Sequence, residues 1–192
     1  TTNRLEKSVA RNTGAAIARG KYLHFLDDDD FLLPGALATF QEMSKDHQSS
    51  VYYGGSVLTD RKGTLLTNYQ PDLSGNCFIQ FIAGEWIPLG SYIINAHSFF
   101  NIAGFNPLMT MGEDSDLCRR LALKGDFTGT QALVLQAEVG STGSTANYRL
   151  LSVQSRAARE LILSEPYAYQ RMLGSATSSY WYGRIIRAYL TS

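Results

Sequence analysis

The residue types best suited to chemistry form one run of four aspartates: Asp27, Asp28, Asp29 and Asp30. An apolar stretch, residues 22–26, precedes the run, and another, residues 31–33, follows it at once. Carboxylates packed this densely repel one another unless a cation or hydrogen-bond donors compensate. Hard divalent cations such as Mg²⁺ and Mn²⁺ take oxygen ligands of this kind and also hold substrate phosphates. The run therefore predicts a cation site, with an exposed acidic turn as the alternative interpretation.

A second acidic group, containing Glu113, Asp114 and Asp116, opens a predicted helix. Acidic residues in a first helical turn complement the helix dipole, so capping alone is one interpretation of this group. The preceding residues 104–112 carry no charge and have glycine at both ends. A loop of that composition can place an acid at the rim of a cleft, which is the functional interpretation.

Composition limits the broad class of the protein. With 192 residues, 44% of them hydrophobic and 18% charged, the chain can form one globular domain, with or without a small appendage. Seventeen basic residues balance seventeen acidic ones, so charge gives no reason to expect nucleic-acid binding. Cys77 and Cys118 are too far apart for a common metal-ligand spacing. They are typical of reduced thiols in a cytosolic protein.

The elements around the aspartates must position them. We predict a helix capped by Ser8 and ended by Gly20, a strand over residues 21–26 that delivers the aspartates, and a helix beginning at Pro34. Alternate side chains of a strand point to opposite faces. Asp27 and Asp29 are therefore the expected pair, and Asp28 would join them only if the backbone turns. Ligand sites in α/β folds lie beyond the carboxyl ends of strands, as here.

Further along the chain, strands and helices continue to alternate, which predicts an α/β fold with a mixed sheet. Strands are predicted over residues 51–59, 64–69, 92–94 and 127–137, and helices over residues 78–82, 97–103 and 113–124. The uncharged stretch 86–112 is interrupted by proline, glycine and polar residues, so we reject a membrane span there.

The C-terminal part of the sequence is predicted to be helical from Leu150 onward. Before it, the Gly/Ser/Thr-rich residues 140–147 are predicted to form a mobile loop at the active site. The tail is rich in aromatic residues: Tyr180, Trp181, Tyr182 and Tyr189. With Arg184 and Arg187, it could dock on a membrane interface or a partner, or pack against the rest of the protein.

Four short motifs in register resemble the family-2 glycosyltransferases of the GT-A fold. The first is Ala10-Arg11-Asn12-x-Gly14, the second Ala18-x-Gly20-Lys21-Tyr22, and the third Phe25-Leu26 with the aspartates and Pro34. The fourth joins Gly104-Phe105 to Glu113-Asp114-x-Asp116. The resemblance covers about residues 5–145. It implies a Rossmann-like mixed sheet flanked by helices over residues 1–149, followed by a helical extension, residues 150–192.

The resemblance also implies roles for individual residues. Asp27 and Asp29 would be the D-x-D pair that contacts the donor ribose and the Mg²⁺ or Mn²⁺ bridging its diphosphate, and Asp28 would share in this. Asp114 would be the general base, with Glu113 beside it, and Arg11 would lie near the donor nucleotide. The implied activity is inverting, hexosyltransferase-type transfer from a nucleotide-diphosphate sugar to a glycan or lipid-linked acceptor. It implies a cytoplasmic enzyme of polysaccharide synthesis, with the cytoplasmic face of the membrane as an alternative location.

Two departures from the family pattern lead to further expectations. The family's first strand and helix have no counterpart here, so we expect an N-terminally truncated fragment that binds the donor weakly. The family also often has a histidine after its last core strand, where this sequence has Glu138. Glu138 could replace it as an oxygen ligand, or could be a surface residue.

Two rival functions are considered beside sugar transfer. Nucleotidyl transfer also uses carboxylate-bound metal, but the sequence lacks the basic, glycine-rich triphosphate loop expected for it. The non-enzymatic alternative is an inert transferase module that binds a cation or glycan without turnover. The sequence contains no signal that identifies the donor sugar, the nucleobase of the donor or the oligomeric state. Acceptor choice is expected to lie in loops such as residues 68–76 and 84–91.

Overall fold

The computed structural model describes residues 4–46, 48–139, 148–173 and 183–186. The main helices are α1 (Arg4–Ile17), α2 (Ala36–Asp46), α3 (Phe78–Ile82), α4 (Ala96–Asn101), α5 (Glu113–Lys124), α6 (Tyr148–Leu163) and α7 (Ala168–Leu173). The strands are β1 (Tyr22–His24), β2 (Phe31–Leu32), β3 (Val51–Thr59), β4 (Leu65–Tyr69), β5 (Tyr92–Asn95) and β6 (Phe127–Glu138). A single 3₁₀ turn, Leu89–Ser91, leads into β5.

The strands form one mixed sheet in the order β1-β5-β3-β6-β2, and β4 also pairs with β3. Strands β3 and β6 are parallel, whereas β5 is antiparallel to both β1 and β3. Strands β1, β3 and β6 therefore run in the same direction. Their carboxyl ends meet at one edge of the sheet, which is where the aspartates follow β1. The predicted mixed α/β class is confirmed.

Each face of the sheet is covered by its own apolar cluster because side chains alternate along the strands. Val51 and Tyr53 of β3 belong to the larger cluster, beneath α3 and α5. Tyr52, between them, belongs to the smaller cluster, with Phe40 of α2. Ile162 of α6 and Ala168 of α7 also lie in the larger cluster, so the C-terminal helices share its core. The predicted domain boundary near residue 150 stays a prediction.

Several predicted element ends are wrong in detail. Helix α1 begins at Arg4, so Ser8 lies inside the helix as a buried residue and does not cap it. Strand β1 ends at His24, before the aspartates, and the short strand β2 follows them. β2 exists because its two residues pair with Leu135 and Gln136 of β6, a long-range contact that local periodicity does not show.

The loop 140–147 and the aromatic residues Tyr180, Trp181, Tyr182 and Tyr189 lie outside the described residues. Across the part of the chain that is described, no helix has the length and apolar character needed to cross a bilayer. Cys77 and Cys118 are both free and buried.

Ala103 offers a test of backbone strain. It has a φ of 60°, a left-handed conformation that is unfavourable for a residue with a β-carbon. We expect Ala103→Gly to raise the free energy of unfolding by about 1 kcal/mol. Urea denaturation measures this change. The matched control is Ala16→Gly at an exposed position inside α1, which should lower stability by about 1 kcal/mol. Equal destabilisation by both changes would contradict the strain at Ala103.

Candidate active site

The four aspartates form a turn rather than the end of a strand. The Asp30 N–H donates to the Asp27 carbonyl at 3.2 Å, so the chain reverses at Asp28 and Asp29. All four residues line one cavity of about 530 Å³, which we call the aspartate cavity. The expected separation of alternate side chains is therefore wrong, because β1 has already ended and the backbone turns. Asp28 borders the same space as Asp27 and Asp29.

Asp30, which the sequence interpretation left without a role, ties the turn to strand β6. The Glu138 N–H donates to Asp30 Oδ1 at 3.3 Å. Burial is the main cause that raises the pKa of Asp30 to about 6. The Glu138 N–H hydrogen bond lowers that pKa, whereas the charges of Asp27, Asp29 and Glu138 raise it, so both aspartates act on Asp30. Asp27, Asp29 and Asp30 therefore form one electrostatically coupled group.

Glu138 also lines the aspartate cavity, where sequence reasoning placed it as a substitute ligand. Its Oε1 lies 3.6 Å from Nε of Arg61, a residue of the β3–β4 turn that lines the cavity too. Arg61 had no predicted role. Its position adds a positive charge to the lining of the cavity.

The second acidic group begins helix α5 next to Gly112. Gly112 is the N-cap, in a left-handed conformation with φ of 69°, and it provides no side-chain cap. Asp114 Oδ1 accepts the Ser115 N–H at 2.7 Å. Asp116 is turned away into the core and pairs with Arg120 at 2.6 Å. The three acids at this helix start thus have different surroundings, and only Glu113 and Asp114 reach the cleft.

Asp114 lies in surroundings suited to a group that takes up protons. Burial is the first cause that raises the pKa of Asp114, and the neighbouring charge of Glu113 is the second. The Ser115 hydrogen bond and the charge of Arg11 act in the opposite direction. A carboxylate with a raised pKa is a stronger base than an ordinary aspartate, which favours general-base chemistry.

Arg11 joins the two acidic groups. Its Nη2 lies 2.5 Å from Asp27 Oδ1, and its Nη1 lies 3.0 Å from Glu113 Oε1. The side chain is only 13% exposed. A single guanidinium therefore fixes the start of α5 relative to the aspartate turn, and such forked pairs are geometrically specific.

A second set of contacts holds α1 in place for this bridge. Asn12 Nδ2 donates to the Phe105 carbonyl at 2.8 Å, and Asn12 Oδ1 accepts the Phe105 N–H at 2.9 Å. A Cβ at position 104 would lie 2.6 Å from Asn12 Oδ1, so Gly104 is required by this contact. The Arg11 guanidinium lies 5.3 Å from the centre of the Phe105 ring. These contacts join two of the motifs that sequence reasoning identified separately.

A second cavity, of about 370 Å³, adjoins the first and is lined by Leu151 of α6, Met111, Glu113 and Asp114. We call it the Leu151 cavity. The two cavities share Lys7, Arg11, Asp27, Trp86, Leu89 and Asp114, so they are two parts of one cleft. Lys7 was missed in the sequence, and Trp86 was included only within the loop 84–91 expected to select the acceptor. Lys7 lies one helical turn before Arg11, and that spacing is the signal that would have identified it.

The aspartate cavity suits a divalent cation that arrives with a phosphate ligand. No group of three or more His, Cys, Asp or Glu side chains able to hold a metal occurs among the described residues. Mg²⁺, however, is usually bound by one or two carboxylates together with substrate phosphates. The exposed carboxylates of Asp28 and Asp29 supply oxygen ligands of that kind. The residues present therefore fit such an ion.

Comparison with known proteins gives two curated relatives over short segments. An uncharacterized glycosyltransferase of Methanocaldococcus jannaschii is 32% identical over 69 residues, which are 35% of this chain and 24% of the relative. A GalNAc(5)-diNAcBac-PP-undecaprenol beta-1,3-glucosyltransferase of Campylobacter jejuni is 38% identical over 55 residues, 29% of this chain and 17% of the relative. The matched segments thus span a quarter or less of either relative.

Solved structures extend the comparison to nearly the whole chain. The crystal structure of S. aureus TarS in complex with UDP has a TM-score of 0.57 and 16% identity, covering 97% of this chain and 62% of that chain. TarS in complex with UDP-GlcNAc has a TM-score of 0.53 and 15% identity, covering 92% of this chain and 58% of that chain. These matches show that the fold is GT-A-like. The family model for glycosyl transferase family 2 matches residues 1–113, more than half of the sequence, and this chain belongs to that family.

Proposed function

We propose that this protein catalyses metal-dependent, inverting transfer of a sugar from a nucleotide-diphosphate sugar to an acceptor hydroxyl. The observation that carries the proposal is the division of the cleft. Asp28, Asp29 and Asp30 line only the aspartate cavity, and Glu113 lines only the Leu151 cavity. Asp27 and Asp114 border both parts, and Arg11 links Asp27 to Glu113. Sugar transfer needs these two functions at separate places, since one group must bind the leaving diphosphate and another must take a proton.

The donor is assigned to the aspartate cavity. Asp29 and Asp27, with Asp28 adjoining, would hold Mg²⁺ or Mn²⁺, which when bound neutralises charge that develops on the departing diphosphate. Lys7 and Arg61 line the same cavity and add positive charge for the phosphates. Arg11 supports the donor side indirectly, because its guanidinium is already engaged by Asp27 and Glu113.

The acceptor hydroxyl is assigned to Asp114. As the acceptor oxygen bonds to the anomeric carbon, its proton passes to the Asp114 carboxylate, and the bond between that carbon and the diphosphate oxygen breaks. Attack and departure on opposite faces of the sugar invert its anomeric configuration, by the same geometry that inverting glycosidases use. Glu113 supports the base by keeping negative charge beside it.

The names of the neighbours agree with such a donor. TarS structures contain UDP or UDP-GlcNAc, and the C. jejuni relative is named as a glucosyltransferase acting on an undecaprenol-linked glycan. We therefore propose a nucleotide-sugar donor and a glycan or lipid-linked acceptor, with the cytoplasmic face of the membrane as the place of reaction. Peripheral membrane association follows from a lipid-linked acceptor.

Donor binding and turnover test the proposal. Calorimetry is carried out with UDP, GDP and dTDP, first in the presence of Mn²⁺ and then in excess EDTA. One of the three nucleoside diphosphates should bind in Mn²⁺, and this binding should be lost in EDTA. Release of that diphosphate from its sugar conjugates, followed over time with a panel of glycan acceptors, should then stop on adding EDTA. Binding without any turnover would identify an inert module, and turnover unaffected by EDTA would exclude metal dependence.

A pH profile tests the electrostatics of the base. Glu113→Gln removes the negative charge that raises the pKa of Asp114 and releases Arg11 to act on it, so this pKa should fall. Because Asp114 acts deprotonated, the acid limb of kcat/KM should move to lower pH. Arg11→Met removes a charge that lowers the same pKa and should move the limb to higher pH. If both substitutions moved the acid limb in the same direction, the assignment of this limb to Asp114 would be contradicted.

A further inference from the structure

Trp86 is the large aromatic side chain shared by the two cavities of the cleft. It lies between α3 and the 3₁₀ turn and remains 39% exposed. It lines the aspartate cavity and also the Leu151 cavity, where Asp114 is located. Apart from Leu89, the other residues shared by the cavities are charged, so Trp86 provides the aromatic surface of the shared space.

The indole is held in place before any ligand binds. The Tyr69 ring stacks on it with a centroid distance of 5.3 Å and an interplanar angle of 13°. The Tyr69 hydroxyl donates to the Trp86 carbonyl at 2.7 Å, and the neighbouring Glu85 pairs with Arg184. Tyr69 stacks against one face of the indole, while Trp86 stays 39% exposed and lines both cavities. A rigid ring loses little conformational freedom when a ligand packs on it.

The chemistry of this surface suits a sugar ring. One face of a pyranose carries several C–H groups with partial positive charge, and an aromatic ring presents a negative face to them. The carboxylates of Glu113 and Asp114, which line the Leu151 cavity with Trp86, can accept hydrogen bonds from the sugar hydroxyls. A flat apolar ring edged by carboxylates therefore matches a pyranose better than it matches a lipid chain, which would leave the carboxylates desolvated without partners.

We propose that Trp86 is the platform on which a pyranose ring of the acceptor stacks, and this rests on the proposed function. The acceptor rather than the donor is chosen because the Leu151 cavity, which Trp86 lines together with Asp114, contains neither Asp28 nor Asp29. A ring on the indole would present a hydroxyl on the side of Asp114. Tyr69 is then a positioning residue that orients the platform.

The test uses tryptophan emission without any donor. The chain has two tryptophans, so a Trp181→Phe variant keeps Trp86 as the sole reporter. The probes are methyl pyranosides of glucose, galactose, N-acetylglucosamine and N-acetylgalactosamine, with open-chain sorbitol as the control. At least one pyranoside should shift the emission of Trp86 saturably, whereas sorbitol should not. No saturable shift with any pyranoside would overturn the proposal.

Variants at position 86 make the test specific. Trp86→Ala should weaken binding of the responding pyranoside roughly tenfold in ligand-observed NMR, the scale of one aromatic contact. Trp86→Phe, which keeps a flat ring, should retain most of the affinity. Equal binding by the alanine variant would overturn the proposal. A saturable emission shift with UMP and with no pyranoside would assign the indole to the nucleobase, and would also overturn it.

The experiments distinguish a wrong assignment of Trp86 as the acceptor platform from a wrong assignment of sugar transfer as the function. The emission and NMR experiments contain neither donor nor metal, so they report only on pyranoside binding. Turnover experiments with EDTA report only on transfer. A protein that transfers sugar but binds every pyranoside independently of Trp86 retains the proposed function and loses the platform.

Discussion

Replacing Asp114 with asparagine is expected to lower kcat for sugar transfer by roughly 10²–10⁴-fold, the usual contribution of a general base. The amide has nearly the same size as the carboxylate, and its oxygen can still accept the Ser115 N–H that Asp114 accepts now. It has no basic lone pair that can take the acceptor proton. The fold and the donor affinity should therefore change little while the chemical step is lost.

Three measurements separate this result from a structural effect. Donor affinity by calorimetry and the urea midpoint should match those of the parent protein, and kcat should lose its acid limb because the titrating base is gone. Glu113→Gln is the matched control, since it makes the same carboxylate-to-amide change at the adjacent residue and should retain most of the rate. If Asp114→Asn kept more than a tenth of the parent kcat, Asp114 would not be the general base.

Replacing Asp29 with asparagine is expected to lower kcat/KM by roughly 100-fold or more, because stabilisation of a leaving phosphate by a metal is worth several kcal/mol. Asp29 is exposed to the aspartate cavity, and its charge acts on Asp30, so its carboxylate belongs to the coupled group. The change should raise the Mn²⁺ concentration needed for half-maximal activity. An excess of Mn²⁺ should restore part of the rate.

Asp28→Asn is the control for Asp29. Both residues are exposed, both lie in the same turn, and both changes remove one negative charge. A smaller effect at Asp28 would locate the metal at Asp29, as the family resemblance implies. Equal losses at the two positions would show instead that the turn acts through its total charge. Full activity of the Asp29 variant in EDTA-treated buffer would contradict metal binding by this turn.

The regular elements of this fold could be predicted because their residues show local periodicity. The alternation in β3 separates Tyr52 from Val51 and Tyr53, and the buried face of α5 contains Leu117, Leu121 and Ala122 at helical spacing. The turn of the aspartates could not be predicted in the same way. Besides its local Asp30–Asp27 hydrogen bond, the turn has a contact between Asp30 and the Glu138 N–H, residues 108 positions apart, which no local pattern shows.

The motif residues Arg11, Asp27 and Glu113 could be proposed for the site, but their contacts could not. Sequence reasoning placed Arg11 near a nucleotide, whereas its guanidinium is bound by two carboxylates. Trp86 was included only within a loop expected to select the acceptor. Tyr69 belongs to β4, which precedes helix α3, whereas Trp86 follows that helix. The stacking of the two rings therefore arises from tertiary packing and has no local signature in the sequence.

The shared guanidinium of Arg11 also has a genetic consequence. Substitutions at Asp27 and Glu113 should show epistasis, because losing either partner changes the environment of the other through Arg11. In a library that varies the two positions independently, the effects of the two substitutions should therefore not add. Recombination between family members is best made with α1, the aspartate turn and the start of α5 inherited from one parent, while the Trp86 segment is exchanged to alter acceptor choice.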